Sequence, residues 1–177
     1  MMSKAFTKEA LDSALGILAE EIPKATWETI YVTILATLFS IIIGLPLGVL
    51  LVTGEKNGVL PLPKWLMTII GGIINILRSV PFLILMILVI PFTRLIVGTS
   101  VGTTASIVPL VIAAFPFIAR LVESSLREVN PNIIEAAQSM GASPFQIITK
   151  VMIPESVPSL ISNATIAVTT ILGYSAM

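Results

Sequence analysis

Residues 29–54 read TIYVTILATLFSIIIGLPLGVLLVTG, an apolar run with no acidic or basic side chain. A helix needs about 20 such residues to cross the hydrocarbon core of a bilayer, where it must satisfy its own backbone groups because water is absent. Leu95 to Ala119 and Ser156 to Met177 are uncharged in the same way, so three runs qualify as spans. The composition agrees. Of 177 residues, 55% are hydrophobic and 11% charged, too little charge to cover the outside of a soluble domain this long. Lipid is the expected solvent for most of this surface.

A fourth apolar region, Trp65 to Val97, is interrupted by Arg78, Pro81, Pro91 and Arg94. At roughly 1.5 Å per residue it is too long for one upright helix. One crossing helix, tilted or broken near Pro81, with irregular chain around Pro91 to Gly102 at its outer end, accounts for it. A tight hairpin broken at Arg78 to Pro81 is the alternative and changes the span count by one. The expected fold is an all-α membrane protein, a polytopic bundle with four spans in this chain. Residues 1–24 form a leader in which Phe6, Leu11, Leu15, Leu18 and Ile22 recur near helical spacing among charges. This predicts an amphipathic helix lying on the membrane interface, with residues 25–177 forming the membrane domain.

Ten Lys plus Arg balance ten Asp plus Glu, leaving no basic footprint for nucleic acid. With no His and no Cys, the chain lacks imidazole acid/base chemistry, thiolate nucleophiles and most transition-metal ligands. Asp12 is the only aspartate, and every carboxylate lies at a boundary or in a loop, not mid-membrane where an ion-coupled transporter would place one. The chain is expected to be no enzyme by itself and to take its energy from elsewhere. Lys56 and Lys64 on one loop, with Arg120, Arg127 and Lys150 around a second, place both loops in the cytoplasm by the positive-inside rule. The amino terminus is then outside.

The second loop, within residues 123–154, carries explicit local instructions. From Asn130 to Pro154 it reads NPNIIEAAQSMGASPFQIITKVMIP. Asn130 can cap a helix that begins at Pro131, and Gly141 can end it in the left-handed conformation. Ser143 can cap a second helix beginning at Pro144, with Gln146 completing a capping box. The first helix is too short and polar to cross a membrane. Its apolar face of Ile133, Ile134, Ala137 and Met140 therefore predicts a protein groove as receptor. An ordinary amphipathic hairpin between two spans is the plainer reading.

Glu135-Ala136-Ala137, then Gly141, then Ile153-Pro154 resembles the EAA loop of ATP-binding cassette importer permeases. The resemblance implies that this loop docks into a cleft of a separate ATPase subunit and carries nucleotide-driven closure to the spans. Glu135, Ala136 and Ala137 would make the contacts and Gly141 the turn, followed by the Ser143 and Pro144 start. NILRSVPF at 75–82, PFTRLIVGTSVG at 91–102, PFIARLVE at 116–123 and GYSAM at 173–177 are similar to permeases of methionine importers. That similarity implies a bacterial inner-membrane homodimer carrying D- and L-methionine, with two ATPase subunits inside and a substrate-binding lipoprotein outside. It also implies ATP and Mg held by the ATPase with no cofactor or metal in this chain, and a fifth span beyond Met177. A permease for another small solute, or a membrane subunit with a purely structural role, are the competing functions.

Within the last run, Asn163, Ala167, Thr170, Tyr174 and Met177 step by four, three, four and three and so share one face of roughly 80°. This stripe can line a translocation path, with Met177 as its constriction, or pack against a neighbouring helix. Arg78 in apolar surroundings is a functional candidate or a snorkelling side chain. Arg120 and Glu123, three apart, predict a helix-surface pair. Gly44, Pro46 and Gly48 predict a kink or close helix packing.

Overall fold

The computed structural model describes residues 2–176, with side chains from Leu15 onward, and Met177 lies outside the described residues. Every regular element among them is helical. In chain order these are α1 (Met2–Thr53), α2 (Lys64–Ser79), α3 (Phe82–Val97), α4 (Thr103–Arg127), α5 (Pro131–Ser139), α6 (Pro144–Ile147) and α7 (Ile153–Ser175), with one π-helical turn, Ile148–Met152, joining α6 to α7. Three stretches among the described residues are long and apolar enough to span a bilayer: Leu15–Thr53, Thr103–Arg127 and Pro144–Ser175. Ile34, Ile42, Ile87, Leu88, Leu95 and Ile161 are exposed on the outside of the bundle, as a lipid-facing surface requires.

The leader does not separate from the first span, since α1 runs through position 24 without a break and carries both Pro23 and Pro46 inside it. Leu15, Leu18 and Ile22 of the leader are exposed, and Phe6 and Leu11 lie outside the residues whose side chains are described.

The Trp65–Val97 region is two helices, α2 and α3, whose axes bend by 114°. The break falls at Val80-Pro81, where Val80 is extended at φ −81° and ψ 127°. A residue before proline is pushed out of the helical region by the proline ring, so the sequence placed this break correctly. The expected irregular chain from Pro91 is corrected: α3 passes through Pro91 and continues to Val97. A helix can lose one backbone bond at a proline and continue. α3 stops only at Gly98, which takes φ +81° and donates its N–H to the Arg94 carbonyl at 2.9 Å.

α4 is the centre of the fold. Ile107, Leu110, Ala114, Ile118, Val122 and Leu126 form its buried stripe, packed with Val32 and Ala36 of α1 and Ala167 and Ile171 of α7. α1 approaches α4 through Gly44 and Gly48. A Cβ at Gly44 would lie 2.8 Å from Ile118 Cγ2, and one at Gly48 2.6 Å from Val122 Cβ. These glycines serve close packing, the small-xxx-small device that brings membrane helices together where no hydrophobic effect drives them.

Candidate functional site

The two-helix loop forms as its residues prescribe. Asn130 is extended and its side chain accepts from the Asn132 N–H at 3.0 Å, with Pro131 as the first helical residue of α5. At the other end Gly141 has φ +80°, its N–H donates to the Gln138 carbonyl at 2.9 Å, and the Ala142 N–H donates to the Ala137 carbonyl at 3.1 Å. This pair of bonds is a Schellman motif, which closes a helix by using a residue that tolerates positive φ. Ser143 and Gln146 form the capping box: the Ser143 N–H donates to Gln146 Oε1 at 2.9 Å and the Gln146 N–H donates to Ser143 Oγ at 3.4 Å. The helix begun at Ser143 runs on through the π turn into α7, so the second helix of the loop is the inner end of the last span.

α5 is anchored on one side and bare on the other. Ala137 is only 4% exposed and shares a core with Leu126, Ile147 and Met152, with Ile134 packed alongside. Glu135 and Ala136 face outward, as do Ile133 and Met140, the latter 81% exposed. Of the expected docking set, Ala137 is buried in the chain's own packing, whereas Glu135 and Ala136 are exposed. Phe145, 74% exposed just past the Gly141 turn and next to the exposed Pro144, is a further bare apolar side chain in this loop. Its signal in the sequence was an aromatic residue in the first turn of a helix whose other cues are all polar. Ile133, Met140 and Phe145 are thus large apolar side chains left exposed in this loop, with Glu135 and Ala136 exposed as well.

The stripe on α7 turns inward. Asn163 Nδ2 donates to the Leu121 carbonyl at 3.1 Å and to Ser125 Oγ at 2.8 Å, both on α4. Ala167 is buried, the Thr170 hydroxyl donates to the Ile166 carbonyl of its own helix at 2.8 Å, and Tyr174 stacks on Phe82 with ring centroids 4.7 Å apart and planes 4° from parallel. Three of these four residues thus pack α7 against α4 and α3. Two cavities flank the stripe. One of about 260 Å³, between α1, α4 and α7, is lined by Leu45, Leu160, Asn163 and Ala167. The other, about 330 Å³, is lined by Glu28, Thr103, Ser106 and Tyr174.

At the end of α4 nearest α5, Arg120 and Glu123 form their expected pair, but not on the surface: Glu123 is 9% exposed and also binds Arg127 at 2.9 Å. Arg127 in turn binds Glu55 of the α1–α2 loop at 2.6 Å, so that loop and the end of α4 lie together.

Comparison with known proteins bears on this arrangement. Residues 40–177 match the family described as binding-protein-dependent transport system inner membrane component. The chain is 53% identical over 156 residues to the probable D-methionine transport system permease protein MetI of Vibrio cholerae serotype O1, covering 86% of this chain and 68% of that protein. It is 48% identical over 154 residues to the D-methionine transport system permease protein MetI of Escherichia coli K12, covering 87% of this chain and 70% of that protein. A solved structure, an inward-facing conformation of the MetNI methionine ABC transporter, superposes with a TM-score of 0.83 at 48% identity, covering 85% of this chain and 69% of that one.

Proposed function

We propose, on the premise that the chain belongs to the binding-protein-dependent transport system inner membrane component family, that it is the membrane-spanning subunit of an ATP-driven methionine importer. The chain moves substrate and does not hydrolyse ATP; a separate ATPase subunit does so. The observation that carries this reading is helix α5, pinned to its own body through Ile134 and Ala137 while Ile133, Glu135, Ala136 and Met140 stand bare. Such a helix is complete only with a partner on its outer face, and the energy source the chain lacks is the partner it needs.

The mechanism follows from the attachments of α5. Residues 128–130 join it to α4, and Ala137 and Ile134 seat it on the α6 and π-turn segment that opens α7. A displacement of α5 by a closing ATPase dimer therefore reaches two spans at once. In a pair of such chains the two α5 helices approach each other on ATP binding and the spans open outward to receive substrate from an extracytoplasmic binding lipoprotein, in alternating access. The π turn is a place where such motion can be absorbed, because its looser backbone bonding interrupts the regular ladder. The cations Lys56, Lys64, Arg127 and Lys150 support a cytoplasmic position for both loops in a multi-pass inner-membrane protein with its amino terminus outside. Asn163 and Tyr174 are assigned to packing in this reading, while Thr170 and Met177 keep their proposed places along the translocation path, Met177 as its constriction.

Reconstitution tests the function. Vesicles carrying this chain with its ATPase and binding protein should take up D- and L-methionine only with ATP, and an ATPase that no longer hydrolyses should abolish uptake. ATP-driven uptake of a different solute that methionine does not compete with would reassign the substrate. Uptake without this chain would make it a scaffold.

A further inference from the structure

We propose that Glu123 is a positioning residue for coupling, the hub of a polar clamp that makes α2, the α1–α2 loop and α4 move as one body with α5. Both of its carboxylate oxygens are occupied: Oε2 accepts from Arg120 Nη1, and Oε1 accepts from Arg127 Nη2 at 2.9 Å and Nε at 3.2 Å. Each arginine then reaches a different part of the chain. Arg120 Nη2 donates to Asn75 Oδ1 of α2 at 2.8 Å, and Arg127 Nη2 donates to Glu55 Oε1 at 2.6 Å, two residues beyond the end of α1. One carboxylate thus links three segments far apart in sequence.

Its position gives the clamp a role beyond adhesion. The hub lies in the last two turns of α4, and only residues 128–130 separate that helix from α5. Those residues are not slack, because Val129 among them is buried at 5% exposure and its N–H donates to the Leu126 carbonyl at 3.4 Å. Movement of α5 therefore pulls on α4 directly, and through Glu123 on α2 and the loop after α1. As a source of stability the outer part is weak: Arg127 and Glu55 are about half exposed, and such pairs contribute little. Glu123 differs, since a nearly buried carboxylate persists only when its charge is matched, and removing it leaves two arginines facing each other. The clamp fixes geometry more than it adds stability. This inference rests on the coupling role of α5.

The test is the amount of L-methionine moved per ATP hydrolysed by the assembled transporter in vesicles. Glu123→Ala should lower that ratio roughly fivefold and Arg127→Ala roughly twofold, the range seen when residues along a coupling network are removed. Because both act through one hub, the double variant should be no worse than Glu123→Ala alone, and Arg127→Lys should recover most of the Arg127→Ala loss. A wild-type ratio in Glu123→Ala, including one in which uptake and hydrolysis fall equally, overturns the clamp, as do losses that multiply in the double variant. If Glu123→Ala does not accumulate in membranes, Glu123→Gln keeps the shape and removes the charge; a reduced ratio supports the clamp and an unchanged one overturns it. Ala136→Arg on the outer face of α5 separates the two levels. If it uncouples hydrolysis from uptake while Glu123→Ala does not, only the clamp fails; if neither does, the coupling role of α5 fails with it.

Discussion

Gly48 of α1 lies against the Ala119 carbonyl of α4, so close that a Cβ on Gly48 would sit 2.5 Å from that oxygen. The neighbour is backbone and cannot swing aside, so the two helices must part to admit even a methyl group. Overpacking of this kind typically destabilises by about 1–3 kcal/mol. Gly48→Ala should lower the thermal unfolding temperature of the detergent-solubilised protein. Gly72→Ala, in α2 where an added Cβ meets open space, should leave it unchanged or raise it. Equal behaviour of the two variants would mean that α1 and α4 do not pack as described.

Gly141 presents the opposite case. Its surroundings are open, with no described atom within 4 Å, but its φ is +80°. A side chain there meets strain only in its own backbone, on the order of 1–2 kcal/mol for a residue held left-handed. Gly141→Val should therefore reduce methionine uptake per ATP without lowering the amount of protein in the membrane. Gly141→Asn should retain most of it, since asparagine tolerates this conformation. Wild-type transport in Gly141→Val would count against the turn's part in coupling.

Ala136 and Ala137 are adjacent in sequence and opposite in environment, the first exposed and the second 4% exposed. Ala136→Trp should leave folding intact and prevent copurification of the ATPase. Ala137→Trp should instead deplete the protein from the membrane, because a buried alanine site cannot hold an indole. Copurification of the ATPase with Ala136→Trp at the wild-type level would remove Ala136 from the docking surface.

Asn163 spends its amide on α4, donating to the Leu121 carbonyl and Ser125 Oγ. Interhelical bonds of this kind within membranes average about 0.6 kcal/mol. Asn163→Leu should thus lower the unfolding temperature modestly and leave the apparent KM for methionine unchanged. A KM shift with no change in stability would restore Asn163 to the translocation path.

How much of this was legible in the residues depended on the range of the forces involved. The caps at Asn130 and Ser143, the Gly141 turn and the Val80-Pro81 break are decided by contacts within about four residues, and each is found where its residues place it. Pro91 misled because a proline's effect on a helix is conditional: its missing N–H breaks the helix only where nothing else holds the flanking turns. α3 continues past it to a stronger stop at Gly98.

The face a helix turns toward its neighbours was legible only in part. Asn163, Ala167, Thr170 and Tyr174 were correctly grouped on one side of α7, since helical periodicity fixes that. Whether the side met water or protein depended on α4 and α3, which pack there. Likewise Arg120 and Glu123 were visible as a pair, but Asn75 and Glu55 were not, lying 45 and 72 residues from their partners.

The sequence by itself determined that this is a helical membrane protein with a short, capped helix between two of its spans, because hydrophobic length, helix capping and proline and glycine conformations act locally along the chain. Only the tertiary structure decided that Ala137 is buried while Ala136 is exposed, that Asn163 and Tyr174 of the α7 stripe meet α4 and α3, and that Glu123 gathers three segments. Those outcomes depend on which surfaces meet across long chain separations.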